Sequence, residues 1–264
     1  MGRSVFITGG AGGFGVAFAR MFLDQGHNVA LADIDSAGLQ RAEAALAAEP
    51  GRLSLHVCDV ADRDALAQAA LVARNRLGDF AFVCLNAGIV GTIGPTERLN
   101  ADDWRRVVEV NLIAPAVGVA VFLPLLREQQ GGGRLVFTAS MAGLLGQPWG
   151  APYSATKAGV ISLAETLTHE VKGTNVKISV LCPGFANTPL AASMTAPGGG
   201  DFSGAPEQQG LAQSIATGLS ADDVAAALGR GLAAGDFYIF THVDMRPWLD
   251  RRMRRIAMAY DKVT

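Results

Sequence analysis

The chain has 264 residues, half of them hydrophobic and 17% charged, with a formal net charge of −2. That balance excludes a disordered or solvating polypeptide and offers no bulk basic field for nucleic acid. A chain this long buries a sizeable core without metal or disulfide staples.

The first residues run directly into an apolar segment without the long apolar core of a signal peptide, and no apolar run reaches about 18 residues. The expectation is a cytoplasmic protein with no membrane span. Cys58, Cys84 and Cys182 lie in apolar runs, are odd in number and form no Cys-x-x-Cys pair. They read as buried free thiols of a reducing compartment. His27, His56, His169 and His242 are scattered without ligand spacing, so no metal is expected.

Along the chain, short β-branched or aliphatic runs alternate with longer Ala/Leu/Arg/Glu-rich stretches. The runs are Val5–Thr8, Val29–Asp33, Leu53–Cys58, Phe80–Leu85, Arg134–Ala139 and Val176–Leu181, and continuous runs of this kind suit strands buried on both faces. Helices are predicted over about 14–25, 36–48, 62–77, 102–129 and 153–172. Ser36 and Asp62 stand at two of the starts, and Asp102 and Asp103 place acids at a third. The alternation predicts an α/β fold, a Rossmann-type doubly wound parallel sheet of about seven strands with helices on both faces. Residues 187–215 are too Gly/Pro-rich for one regular element and read as a mobile lid. Ser220 caps a helix to about Ala233, Phe237–Thr241 is the seventh strand, and 247–260 forms a terminal helix with Arg251, Arg252, Arg254 and Arg255. One composition regime and no internal repeat predict a single domain over 1–264.

After the first strand comes Thr8-Gly9-Gly10-Ala11-Gly12-Gly13-Phe14-Gly15, leading into a helix. Glycines there allow a tight turn and close approach of a pyrophosphate, whose charge rests on the helix N-terminus. Asp33 ends the second strand, where a carboxylate can accept both hydroxyls of an adenosine ribose. Its neighbours Ala32 and Ile34 supply no basic group for a ribose phosphate, which favours NAD over NADP. Asp59, at the end of the third strand, is placed to hydrogen-bond adenine.

Tyr153 and Lys157 stand four apart at the start of a helix, hence on one face. An ammonium near a phenol stabilises the phenolate and makes tyrosine a usable general acid/base. Ser140 ends the fifth strand and can donate a hydrogen bond to a substrate oxygen. Met141, Trp149, Phe185, Leu190 and Met194 are the candidate walls of an apolar pocket suited to a hydrophobic secondary alcohol or ketone.

Taken in order, Thr8-Gly9-x-x-x-Gly13-x-Gly15, Asp33, Asp59-Val60, Asn86-Ala87-Gly88, Asn111, Ser140, Tyr153-x-x-x-Lys157, Pro183-Gly184 and Thr188 resemble the short-chain dehydrogenase/reductase family along nearly the whole chain. The resemblance implies that Tyr153 exchanges the proton with the substrate hydroxyl and Ser140 holds its oxygen. It implies that Lys157 binds the nicotinamide ribose and lowers the Tyr153 pKa. It further implies a helix irregularity at Asn111 whose backbone oxygen holds a relay water, a cofactor wall at Asn86-Ala87-Gly88, and a carboxamide clamp at Pro183-Gly184 and Thr188. The family also implies a homo-oligomer, dimer or tetramer. The ending Gly235–His242 with its arginine-rich helix departs from the Gly-rich tail of many members. It is similar to the branch that includes bacterial Cα-dehydrogenases acting on bulky aryl alcohols. The arginines are expected to be a solvated face, and His242 a packed strand-end residue. The function implied is NAD-dependent oxidation of a secondary alcohol or reduction of its ketone. An NADPH-linked ketone reductase is the alternative that Asp33 weighs against; a cofactor-sensing regulator would lack the Tyr or the Lys.

Overall fold

The computed structural model describes residues 3–197 and 206–263. Apolar runs bounded by Gly, Asp and Asn become β1 (Ser4–Thr8), β2 (Asn28–Asp33), β3 (Leu53–Val57), β4 (Phe80–Leu85), β5 (Gly133–Thr138), β6 (Val176–Cys182) and β7 (Tyr238–Phe240). They pair in parallel throughout, in the order β7-β6-β5-β4-β1-β2-β3. Parallel neighbours need long crossovers. These are α1 (Gly13–Asp24), α2 (Ser36–Leu46), α3 (Arg63–Leu77), α4 (Ala101–Val108), α5 (Ala114–Glu128), α7 (Ala151–Glu170) and α9 (Ala221–Ala234). The rest are α6 (Met141–Leu145), α8 (Pro206–Ala216) and α10 (Arg246–Tyr260).

Successive strand residues point to opposite faces, so each strand feeds two cores. Val5 and Ile7 of β1 pack with Phe18 of α1, Leu39 of α2 and Leu228 of α9. Phe6 between them packs with Leu66 of α3, Phe122 of α5 and Ala164 of α7. The chain leaves β1 toward β2 and β3, then returns to β4 on the other side. That reversal opens a crevice at the carboxyl ends of β1 and β4, where ligands bind in open α/β sheets.

Several local expectations change. Asp35, not Ser36, caps α2, its side chain accepting the Gly38 N–H at 2.9 Å. Asp62 and Ser220 cap α3 and α9 as expected. The start of α4 is a capping box of Asn100 and Asp103. The long helix 102–129 is continuous but divided by a π-helical turn, Glu109–Ile113, between α4 and α5. Taken whole, Ala101–Glu128 is long and apolar enough to cross a membrane by composition, against the expectation drawn from run length. Here it lies along the sheet with Phe122 and Leu126 fully buried. The expected irregular stretch 187–215 holds a 3₁₀ turn at Pro189–Ser193 and the eleven-residue α8, and its residues 198–205 lie outside those described. Cys58, Cys84 and Cys182 are buried free thiols.

Candidate functional site

A cleft of about 1430 Å³ runs along the carboxyl ends of the strands. The glycine loop forms one wall. Gly9 has φ +67°, and a Cβ there would lie 2.9 Å from Ala87 Cα; a Cβ at Gly15 would overlap the Gly9 carbonyl oxygen. Only glycine allows the loop to fold this tightly against β4 and start α1 at Gly13, with Gly12 as its cap. Thr8 Oγ1 accepts the N–H groups of Asn86 (2.8 Å) and Ala87 (3.1 Å). Asn86 Nδ2 donates to Thr8 O at 3.1 Å, and Thr138 Oγ1 donates to Asn86 Oδ1 at 3.1 Å. The ends of β1, β4 and β5 are thereby tied into one floor.

Asp33 accepts the Ala11 N–H on one oxygen and the Asp35 N–H on the other, both at 3.0 Å. Its carboxylate is held beside the glycine loop. Asp59 accepts the Ala61 N–H at 2.9 Å. Of the residues expected to hold a cofactor, all line the cleft except Thr8 and Gly15, which are buried behind it. The loop and the fixed carboxylate fit a dinucleotide: a turn that requires glycine at Gly9 and Gly15 faces the helix start, with an acid at the next strand end.

Ser140, Tyr153 and Lys157 line the same cleft. Ser140 is the N-cap of α6; its Oγ accepts the Ala142 N–H at 3.1 Å and donates to Pro183 O at 3.3 Å. Tyr153 and Lys157 sit on the first turns of α7, with Lys157 Nζ 5.7 Å from the Tyr153 ring centre. Nζ donates to Thr138 O at 2.8 Å. Burial pushes the Tyr153 phenol up, offset in part by hydrogen bonding with Ser140. Burial also brings the Lys157 ammonium down to about 8, against a smaller opposing pull from Cys182. Asn111 does not line the cleft. It is fully buried in the π turn, exchanging 2.8 Å hydrogen bonds with the backbone of Ile89, and its Nδ2 donates to Thr156 Oγ1 at 3.4 Å.

Among the expected pocket walls, Met141, Phe185, Leu190 and Met194 line the cleft. Trp149 does not. Its φ of +66° turns the chain there, its carbonyl accepts the Gly94 N–H at 2.8 Å, and the residue is left 40% exposed outside the lining.

Other lining residues carried no weight in the sequence reading. Arg41 of α2 lines the cleft and pairs with Asp35 at 3.1 Å. The Gly38 N–H, with a smaller contribution from Arg41, holds the Asp35 carboxyl below its usual range. Leu211 and Ile215 of α8 and Trp248, Arg251, Arg252 and Arg255 of α10 are also on the lining. The arginines are therefore exposed, as expected, but three of them face the cleft. A 248/251/252/255 spacing on one helical face was the signal available for this. His242 is packed at the end of β7, where Nδ1 accepts the Gly184 N–H at 3.1 Å. An N–H can only donate, so the ring proton belongs on Nε2, which donates to Phe185 O at 2.9 Å. His242 thus braces Gly184 and Phe185 from behind.

The comparisons agree with this geometry. The sequence profile of "short chain dehydrogenase" matches residues 3–197. A 1-deoxy-11-beta-hydroxypentalenate dehydrogenase of Streptomyces exfoliatus is 34% identical over 247 residues, 92% of this chain and 84% of that protein. A C alpha-dehydrogenase of Sphingobium sp. (strain NBRC 103272 / SYK-6) is 29% identical over 258 residues, 95% of this chain and 84% of its own length. The crystal structure of a short chain dehydrogenase/reductase from Burkholderia phymatum in complex with NAD superposes with a TM-score of 0.89. It is 31% identical and is matched over 98% of this chain and 95% of that one. On sequence and on fold alike, the chain belongs to the short-chain dehydrogenase family and is an oxidoreductase of hydroxyl or keto substrates.

Proposed function

We propose that the protein interconverts a hydrophobic secondary alcohol and its ketone with NAD(H). The observation that carries this is the shared cleft: Ser140, Tyr153 and Lys157 on one wall, the glycine loop and Asp33 on the other. The glycine loop would hold the pyrophosphate, Asp33 the adenosine ribose, Asn86-Ala87-Gly88 the floor, and Pro183-Gly184 with Thr188 the nicotinamide end. When bound, NAD supplies the hydride acceptor. The chain's own residues do the rest. Ser140 Oγ orients the substrate oxygen, and Tyr153 Oη takes its proton. The Lys157 ammonium favours the phenolate against the desolvation that opposes it. The buried Asn111 fixes the π turn beside this group. The buried thiols support a reducing, cytoplasmic setting. The likeness to relatives over most of the chain supports a single domain over 1–264. Partners beyond the small-molecule substrate are further copies of the chain, in a homo-oligomer.

Cofactor choice follows from charge. The extra phosphate of NADP would lie where Asp33 holds the ribose. Two unit charges about 4 Å apart repel by about 1 kcal/mol at the dielectric of water and about 4 kcal/mol at an effective value near 20. Arg41 and Arg106 also line the cleft and favour an NADPH-linked reductase. Arg41 is already paired with Asp35, and the Asp33 carboxylate is held beside the glycine loop, which keeps NAD the expected cofactor.

The test is steady-state turnover of aryl and alicyclic secondary alcohols with each cofactor. NAD is expected to exceed NADP by about 10²-fold in kcat/KM, and Asp33→Ser with Ile34→Arg to narrow or invert the ratio. Tyr153→Phe should lower kcat by about 10²–10⁴-fold with NADH binding retained. Near-normal turnover by that variant would remove Tyr153 from the chemistry; equal use of NAD and NADP would remove Asp33 from the ribose.

A further inference from the structure

The lining of the cleft is divided in charge. Among the described residues its acids are Asp33, Asp35 and Asp59, all at or just past the ends of β2 and β3. Each is already engaged: Asp33 and Asp59 accept backbone N–H groups, and Asp35 caps α2 and pairs with Arg41. The opposite end is reached by α10, which packs against α6, the helix that Ser140 caps. There the lining carries Arg251, Arg252 and Arg255 and no acid.

These arginines differ from an ordinary solvated face in three ways. Trp248, Arg251, Arg252 and Arg255 follow i, i+3, i+4, i+7 spacing, and all four line the cleft, whereas Arg254 does not. The helix's own nearby acid, Asp250, sits 3.7 Å from Arg246, and no described carboxylate lies within 4 Å of Arg251, Arg252 or Arg255. Apolar side chains share this end: Met141 and Leu145 of α6, against which α10 packs, and Trp248 of α10 itself. A ligand placed there meets hydrocarbon first and guanidinium beyond it. Guanidinium groups bind carboxylates through paired N–H donors and retain their charge at any working pH.

We propose that the substrate is an anion: a hydrophobic secondary alcohol bearing a carboxylate remote from its carbinol, bound through Arg251, Arg252 and Arg255. This rests on the oxidoreductase reading for the carbinol end and adds the recognition of the other end. Trp248 packs on the apolar body between them.

The test compares 4-acetylbenzoate with its neutral methyl ester, by calorimetric binding to the NADH-loaded protein and by turnover. The acid is expected to bind at least 10-fold tighter than the ester. The preference should weaken as salt rises, because exposed charges are screened within about 10 Å at 0.1 M. In Arg251→Gln/Arg252→Gln/Arg255→Gln the acid-to-ester ratio should fall by 10-fold or more. Taking a ratio within one variant removes any general loss of folded protein. Equal binding of acid and ester by the unaltered protein, or a preference that survives the triple substitution, would overturn the proposal. So would a parallel loss of NADH affinity, which would assign the arginines to the cofactor. Arginine-dependent binding without turnover of either compound would support anion recognition and count against the oxidoreductase reading alone.

Discussion

At Lys157 a single nitrogen is asked to be both buried and charged. Its Nζ is surrounded by the ends of β5 and α7 with one protein acceptor, Thr138 O. Desolvation brings it from 10.5 to about 8, equivalent to about 3 kcal/mol of destabilisation while both states are protonated. That penalty is fully present below pH 8. Between pH 8 and 10.5 the unfolded chain keeps a proton the folded chain has lost, so stability rises with pH; above 10.5 the penalty is gone. Lys157→Met, inactive by the proposed chemistry, lacks this dependence. The stability difference between the two proteins in urea should therefore move in favour of the unaltered one by about 2 kcal/mol between pH 7.5 and 9.5. A constant difference would mean that Nζ is solvated in the folded protein. His242 is used differently: one ring nitrogen accepts from Gly184 and the other donates to Phe185, holding two backbone groups in place.

The elements nearest the cleft are its least regular. The turn Pro189–Ser193 is tied over it by the Val90 N–H donating to Ser193 Oγ at 2.8 Å, and Ile93 N–H donates to Thr195 O at 2.9 Å. After that anchor, α8 lays Leu211 and Ile215 on the lining, although most of its described residues are exposed or half-buried. A helix with so little buried surface opens cheaply. Hydrogen exchange in 206–216 should be fast in the free protein and slow markedly with NAD and ketone bound. Equal protection in both states would make α8 a static surface element. The same contrast explains what was legible in advance. The seven strands were, because each is a short aliphatic, β-branched or aromatic run bounded by turn residues, even where an edge strand such as β7 buries only Ile239. Tyr153, Lys157, Ser140 and the glycine loop were, because their spacing encodes one turn or one face. The five-residue α6 and the eleven-residue α8 were not: one is fixed by the Ser140 cap, and the other lies in a stretch whose Gly/Pro content masks its start. Trp149 misled because proximity in sequence to Tyr153 says nothing of a positive φ. The cleft-facing arginines were legible as one face of a helix from their spacing, but not which way that face turns, because that is set by how α10 packs on α6.

For the whole molecule, a parallel sheet brings every strand's carboxyl end to one edge, so chemistry and recognition share a surface while the two cores below remain apolar. The buried cysteines sample that layering at three places. Cys58 lines the cleft, Cys182 lies at the end of β6 near Lys157, and Cys84 is in the middle strand; the last two have no exposure at all. Burial pushes the Cys58 thiol up to about 11 and the Cys182 thiol up to about 12, and raises Cys84 too. Since only the thiolate attacks a disulfide reagent, the three sulfurs form a built-in clock for opening. Reaction with an aromatic disulfide should modify Cys58 first, at a rate that NADH slows by covering the cleft. Cys182 should wait for the active-site end to part, and Cys84 for the sheet itself. Three separate rates would show the molecule opening from its working edge inward; one common rate would show that it opens all at once.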